Sequence, residues 1–131
     1  FIGPAILSHD PIVYIGILLV ILVWYFLNKT KNDGQSVVGY GAAAKASTLL
    51  NFSGVRQDIL PYVVDKSNAK QDKFMPGSRV PIMSETQLKK DRPDYIVIFP
   101  WNIQDEIIEQ LAYIREWGGK FVIFIPSMLV I

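Results

Sequence analysis

Residues 36–51, SVVGYGAAAKASTLLN, decide how this sequence folds. A short β-branched run leads into Gly39-Tyr40-Gly41, and a helix-forming segment rich in Ala and Leu follows. The spacing Gly39-x-Gly41-x-x-Ala44 fits the glycine-rich phosphate-binding turn of Rossmann-type units, whose third position takes Gly or Ala. The stretch therefore predicts a strand, a glycine turn and a helix.

Each small residue of this turn has a physical reason. Gly39 permits the tight turn, and Gly41 lets backbone N–H groups approach a ligand without a Cβ in the way. Ala44 lets the helix pack close to the strand. The helix N-terminus carries unpaired N–H groups and partial positive charge, which suit a phosphate. The alternative is a tight β–α turn that binds nothing, because a fold alone does not imply a function.

Composition limits the function classes. The chain has 131 residues, which favours one domain, and it lacks an initiator Met, so we expect a fragment of a longer chain. Its 13 Lys and Arg nearly balance its 12 Asp and Glu, and so small a net charge does not indicate a nucleic-acid partner. Cys is absent, which excludes disulfides and thiolate metal sites. His9 is the single His, so a His-based catalytic or zinc site in the organised domain is disfavoured.

The N-terminal segment differs from the rest. The run from Ile12 to Leu27 carries no charge and is almost wholly apolar. With its flanking residues it nears the lower length limit for a membrane span. Trp24 lies near its end and lysines follow at 29 and 31, as at a cytoplasmic interface. The segment predicts one continuous helix that contacts a membrane through Ile12 to Leu27, or else a buried helix that packs on a neighbour.

The turn at residues 32–35 divides the chain into residues 1–31 and residues 32–131. We expect the helix to stay outside the core of the second part, so that deleting residues 1–31 leaves a soluble, folded, cytoplasmic domain. Residues 1–31, FIGPAILSHDPIVYIGILLVILVWYFLNKTK, resemble a segment of inner-membrane permease subunits of sugar- and nucleoside-type ABC transporters. A natural fusion and an artefactual join of two reading frames are both open.

Beyond the glycine turn, strands and helices alternate. Apolar runs predict strands at residues 60–65, 94–99 and 120–125, and helical patterns cover residues 42–52, 84–90 and 103–117. Ser84 begins a capping box and Asn102 is a candidate N-cap. The polar connection at residues 70–81 is a binding loop, a domain contact or a solvated loop. The order predicts an α/β fold: a Rossmann-like parallel sheet of about four strands, ordered 2-1-3-4, with helices on both faces and an apolar helix before it.

Turns after the strands meet at the carboxyl edge of such a sheet, where ligands bind. They are the Gly39–Gly41 turn, Asp65, the Pro100-Trp101-Asn102 segment and residues 126–127. Asp65 is placed to accept a ribose hydroxyl, or simply to open the next turn.

Three side chains near this edge suit a ligand, and two of them, Trp101 and Lys45, also have a plainer interpretation. Tyr40 and Trp101 could stack on a base or cover a sugar, and Lys45 could reach a phosphate. The plainer readings are an aromatic that fills a loop and a surface lysine. The sequence shows no nucleophile–base pair, carboxylate dyad or metal-ligand cluster, so the residues alone indicate a ligand-binding domain without a reactive group.

Four motifs add a family resemblance. VVGYGAAAKASTLLNFSGV, PYVVDKSNAKQDKFMPGSRVPI, RPDYIVIFPWNIQDEIIEQ and WGGKFVIFIP resemble the C-terminal domain of S-adenosylmethionine-dependent C-methyltransferases that act on nucleotide-linked deoxysugars. The resemblance covers residues 32–131. It implies a Rossmann-like domain that closes over the nucleotide-linked sugar, and an enzyme whose zinc-binding region and S-adenosylmethionine domain lie outside this chain. Neither cofactor is expected on this domain, and no catalytic residue has a counterpart here.

The resemblance also carries over a set of substrate-contacting positions. They are Gly39, Tyr40, Gly41, Ala42, Lys45, Asn51, Pro100, Trp101 and Asn102, to which the residue analysis adds Asp65. The competing hypotheses are a membrane-anchored nucleotide or nucleotide-sugar binding module and, third, an NAD-dependent oxidoreductase fragment, disfavoured because no catalytic Tyr/Lys pair or His partner is evident. For the first hypothesis, we expect the Gly39–Gly41 turn to bind the diphosphate of a nucleotide-sugar and not S-adenosylmethionine, whose sulfonium is a cation.

Overall fold

The computed structural model describes residues 11–125 and 128–131, without the side chains of residues 12 and 13. Within them one sheet of six strands has the order β3-β2-β1-β4-β5-β6. The strands are β1 (Val37–Tyr40), β2 (Val63–Val64), β3 (Ile82–Met83), β4 (Tyr95–Ile98), β5 (Lys120–Ile123) and β6 (Leu129–Val130).

The predicted parallel order is confirmed. β1 lies between β2 and β4 and is parallel to both, and β5 continues the sheet beyond β4 in the same direction. Two further strands were not predicted. β3 pairs in parallel with β2, and β6 pairs antiparallel with β5. Each is two residues long, too short to show a periodic pattern.

Helices flank both faces of the sheet, as predicted. They are α1 (Pro11–Asn32), α2 (Ala44–Phe52), α3 (Glu85–Asp91) and α4 (Gln104–Gln110), with 3₁₀ turns at Trp101–Ile103 and Ala112–Trp117. Side-chain alternation along the strands explains the two layers. Val97 belongs to the apolar cluster on the face of α1 and α2, whereas Ile96 and Ile98 belong to the cluster that includes Leu88 of α3 and Ile107 of α4.

The predicted helix at residues 103–117 is interrupted. The α-helix ends at Gln110, and a 3₁₀ turn carries the chain to Trp117. Leu111 and Ile114 are both fully buried, and a 3₁₀ turn places residues three apart on one line, which directs both at the sheet. Asn102 lies inside the preceding 3₁₀ turn and does not cap α4, so that prediction was wrong. Ser84 does begin α3, but its side chain makes no capping hydrogen bond.

α1 is one continuous helix, as predicted, but its last turns belong to the core. Val23, Phe26 and Leu27 are at most 7% exposed and lie in the same cluster as residues of β1 and β4. The Phe26 ring meets the edges of Tyr95 and Phe124, with ring centroids 5.4 and 5.9 Å apart. The expectation that α1 stays outside the core was therefore wrong. The uncharged run hid this contact because it is apolar on every face, so periodicity could not show which face packs on the sheet.

Length and composition alone would let this helix cross a membrane over Tyr14–Asn32. A core helix of a soluble protein satisfies the same criterion. In this structure 22% of that stretch is buried within the protein.

The packing of α1 gives a first prediction. Phe26→Ala should lower the free energy of unfolding by about 3 kcal/mol, because it removes a buried ring and leaves a cavity. Tyr25→Ala is the matched control, since the neighbouring ring is 58% exposed and should cost well under 1 kcal/mol. Chemical denaturation of both variants measures the difference. Equal losses would show that the helix end does not pack on the sheet.

The same contact revises the truncation experiment. Deleting residues 1–31 removes three core side chains, so we expect the shortened chain to lose cooperative unfolding. Deleting residues 1–18 should preserve it, because the buried core residues begin later in the helix. Thermal melts followed by circular dichroism compare the two. If the chain without residues 1–31 melted cooperatively at the melting temperature of the full-length chain, this interpretation would be contradicted.

Candidate functional site

The site lies where the strand order reverses, between the loops that follow β1 and β4. β2 and β3 extend the sheet to one side of β1, and β4 and β5 extend it to the other. The carboxyl ends of β1 and β4 are in register, with Tyr40 opposite Ile98. A crevice at this position is the usual ligand site of an open α/β sheet.

Gly39, which lies inside β1 and not in the predicted turn, and Gly41, which follows the strand, make room for the segment after β4. A Cβ on Gly39 would lie 2.6 Å from Cε2 of the Phe99 ring. A Cβ on Gly41 would lie 2.5 Å from the Pro100 ring, and Gly41 also has a φ of +99°. Both glycines are thus required by packing within the chain. The space predicted to admit a ligand at Gly41 contains Pro100.

The amides of the turn donate within the protein. Gly41 N–H donates to the carbonyl of Val64 at 2.8 Å. Ala42 N–H donates to Asp65 Oδ2 at 2.9 Å, and Asp65 Oδ1 accepts from Ser67 N–H at 2.8 Å. Asp65 therefore opens its own turn, which was the plainer of its two predicted roles. The same carboxylate also binds the glycine turn, a role that the sequence analysis did not foresee.

The loop after β2 reinforces this arrangement. Lys70 Nζ donates to the Ala42 carbonyl at 3.1 Å and lies 3.9 Å from Asp65 Oδ2. The Gln71 side chain donates to the Asp65 carbonyl at 2.8 Å. The loop is thus anchored across the end of β1 and is not simply solvated. The sequence pattern did not predict this contact of Lys70, because nothing local reveals a partner 28 positions away.

Farther along, the loop is tied to α2. The Asn51 side chain donates to the Pro76 carbonyl at 3.2 Å and covers the space where Gly77 would carry a Cβ. Asn51 therefore links α2 to this loop. Beyond Gly77 the loop returns to the sheet as β3, and Met75 is buried beneath it.

Lys45 and Trp101 meet across the crevice. Lys45 Nζ lies 4.5 Å from the centroid of the Trp101 ring, a cation–π distance. Lys45 is exposed and Trp101 is half-buried, so solvent reaches both. Asn102 is exposed beside them. Among the predicted site residues, Lys45, Trp101 and Asn102 have side chains that solvent reaches.

A pocket of about 390 Å³ adjoins Lys45 and Trp101. It lies between α1 and α2 and is mostly apolar, lined by Gly16, Leu19, Val20, Ala44, Lys45, Thr48, Leu49, Phe52, Trp101 and Ile125. Ala44, expected to pack the helix against the strand, lines this pocket instead, and Ala46 is the fully buried small residue of α2. Residues 126–127, expected at the same edge, lie outside the described residues.

Tyr40 is buried and cannot stack on a ligand in this conformation, contrary to the prediction. It is 5% exposed and lies in the apolar cluster of α3 and α4. Its hydroxyl accepts a hydrogen bond from Gln110 at 3.0 Å. Burial raises the pKa of Tyr40, although this hydrogen bond opposes the shift. The phenol is therefore a neutral structural group.

A polar network surrounds that hydroxyl. Gln110 also donates to Glu85 Oε2 at 3.3 Å, and the Tyr113 hydroxyl donates to Glu85 Oε1 at 2.6 Å. Burial and the adjacent Glu85 carboxylate raise the pKa of Tyr113. The sequence analysis missed this network, whose members come from β1, α3, α4 and the 3₁₀ turn. Among residues 11–125 and 128–131, no cluster of three or more metal-ligating side chains is present.

Comparison with known proteins identifies the family of this chain. The family model for the C-methyltransferase C-terminal domain matches residues 22–126. A curated relative, C-methyltransferase NovU of Streptomyces niveus, is 40% identical over 99 residues. That match covers 76% of this chain and 24% of the relative, so the chain spans about a quarter of the length of the relative it matches. The matched range includes the glycine turn, the anchored loop and the last turns of α1, and this chain therefore belongs to the C-methyltransferase C-terminal domain family.

Proposed function

We propose that this chain is the substrate-binding domain of an S-adenosylmethionine-dependent enzyme that methylates a carbon of a nucleotide-linked sugar. Its family membership supports the methyltransferase part of this proposal. The methyl donor, the zinc site and the catalytic acid or base would belong to a methyltransferase domain outside this chain. The role of this domain is then to bind and orient the sugar nucleotide.

The observation that carries the proposal is the Lys45–Trp101 pair at the reversal point of the sheet. Here a cation and an aromatic face stand 4.5 Å apart and open to solvent beside a pocket. A diphosphate needs a cation, and a sugar or base needs a flat apolar surface. The pair offers both.

Lys45 has additional electrostatic support. It lies in the first turn of α2, where helix amides give a partial positive charge. Within the described residues, the amides of residues 43–45 show no backbone or side-chain acceptor. A phosphate held by Lys45 would lie near these donors. The Trp101 ring, once Lys45 turns to the phosphate, would present its face to the sugar or base.

Ligand titration tests this proposal. The chain should bind a nucleoside diphosphate weakly, with Kd around 1 mM, equivalent to ~4 kcal/mol, because half of the cleft belongs to another domain. Lys45→Met and Trp101→Ala should each weaken binding about tenfold or more. Lys73→Met is the matched control: an exposed loop lysine whose loss changes net charge equally and should leave Kd unchanged.

The readout is chemical-shift change at residues 43–45 and at the Trp101 indole. S-adenosylmethionine should leave these signals in place. Shifts at these positions from S-adenosylmethionine alone would overturn the proposal, as would equal losses of affinity in Lys45→Met and Lys73→Met.

One observation favours the alternative of a membrane-anchored module. The face of α1 turned away from the sheet is also apolar, and Tyr14, Ile15, Leu18, Ile21, Trp24 and Tyr25 are all more than 40% exposed. A helix that is hydrophobic on all sides needs a second apolar surface to cover it. Lys29 and Lys31 in its last turn suit an anionic headgroup layer.

Vesicle flotation tests this alternative. The chain should float with vesicles containing phosphatidylglycerol, and a Leu18→Glu, Ile21→Glu double variant should stay in the bottom fraction. Both substituted side chains are exposed, so the fold should persist, and circular dichroism checks this. A wild-type chain that stays in the bottom fraction would exclude membrane contact.

A further inference from the structure

A carboxylate of the chain itself occupies the donor side of the glycine turn. In dinucleotide-binding folds the corresponding turn presents its amides to a pyrophosphate. Here Gly41 N–H donates to the Val64 carbonyl, and Ala42 N–H donates to Asp65 Oδ2. The second of these acceptors is an anion.

The Asp65 carboxylate is held from three directions. Its two oxygens accept from the amides of Ala42 and Ser67 at 2.9 and 2.8 Å. The Lys70 ammonium lies 3.9 Å from Oδ2 and donates to the Ala42 carbonyl. The Asp65 side chain is only 15% exposed, whereas that of Lys70 is 46% exposed. The carboxylate is thus the buried member of the pair, and the lysine covers it.

We propose that Asp65 is the resident anion of this glycine turn and a specificity-determining residue. Its carboxylate excludes the phosphate groups of ligands from the Ala42 amide. The part of this inference that concerns the natural substrate rests on the proposed function: the diphosphate of a nucleotide-linked sugar is then met by Lys45 on the other side of the turn. The exclusion itself does not depend on the identity of that substrate.

Two physical reasons support the exclusion. The Ala42 N–H is a single donor, so a phosphate oxygen could use it only by displacing Asp65 Oδ2. A phosphate at that position would also face a carboxylate of the same sign at close range in a partly buried site, where charges are weakly screened. Lys70 does not reverse this repulsion, because its charge is already paired with Asp65.

Pyrophosphate is the probe, since it has no base or sugar, and all chains in the comparison carry Lys45→Met so that the Lys45 site proposed above does not also bind it. In the Lys45→Met chain, pyrophosphate up to ~10 mM should leave the amide signal of Ala42 unmoved. Asp65→Asn keeps the shape and one oxygen acceptor but removes the charge. With this substitution added, the Lys45→Met chain should show saturable shifts of the Ala42 amide and bind pyrophosphate at least about tenfold more tightly than with Lys45→Met alone. Asp72→Asn, an exposed position in the same loop, changes net charge equally and should leave the Lys45→Met chain unchanged.

A second measurement keeps the test decisive if Asp65→Asn does not fold. In the wild-type chain, a scalar coupling across the hydrogen bond should connect the Ala42 amide nitrogen with the Asp65 carboxyl carbon, and it should persist when pyrophosphate is added. Loss of that coupling, saturable shifts of the Ala42 amide in Lys45→Met, or an equal gain in Asp72→Asn would each overturn the proposal. The pyrophosphate readout lies at Ala42 in chains that lack Lys45, whereas the nucleoside diphosphate titration reads Trp101 and residues 43–45 in the wild-type chain, so the two proposals fail separately.

Discussion

The contact of Gly39 and Gly41 with the segment Phe99-Pro100 is the constraint on which the rest of the structure depends. β1 and β4 can lie side by side, with the chain after β4 folded across the end of β1, only because Gly39 and Gly41 carry no side chains. That crossing places Trp101 beside the first turn of α2, within cation–π distance of Lys45. A Cβ at either glycine would push the β4 loop away and separate the pair. The glycines therefore shape the crevice beside Lys45 and Trp101 through packing.

The same turn shows how a familiar sequence spacing can take a different chemical role. Its amides are donors aimed at an anion, and in this chain one of them meets the Asp65 carboxylate. The following loop is held in place by side-chain hydrogen bonds of Lys70, Gln71 and Asn51. Their acceptors lie 28, 6 and 25 positions away in the sequence. The long connection after β2 is consequently part of the framework of the site. Its order depends on these polar contacts and on the buried Met75.

α1 connects the fold with whatever surrounds it. One face packs Val23, Phe26 and Leu27 on the sheet, and the opposite face presents exposed apolar side chains. The helix cannot leave the domain without taking core side chains with it. Other residues of the same helix, Gly16, Leu19 and Val20, line the pocket beside Lys45 and Trp101.

Local pattern in the sequence determined the α/β class, the order of the four parallel strands and the family resemblance, because alternating apolar runs and glycine spacing are short-range signals. The predicted parallel strands also place Lys45, Trp101 and Asn102 near one edge of the sheet, since the carboxyl ends of parallel strands meet there. Only the tertiary structure decided which side chains face that edge. Tyr40 turned into the core, Asp65 bound the turn, and α1 joined the core, because burial and hydrogen bonding between distant segments determine where each side chain points. The two-residue strands and the 3₁₀ segment after α4 could not be predicted from the sequence for the same reason. Contacts with residues distant in the sequence stabilise them, and the local sequence pattern does not reveal those contacts.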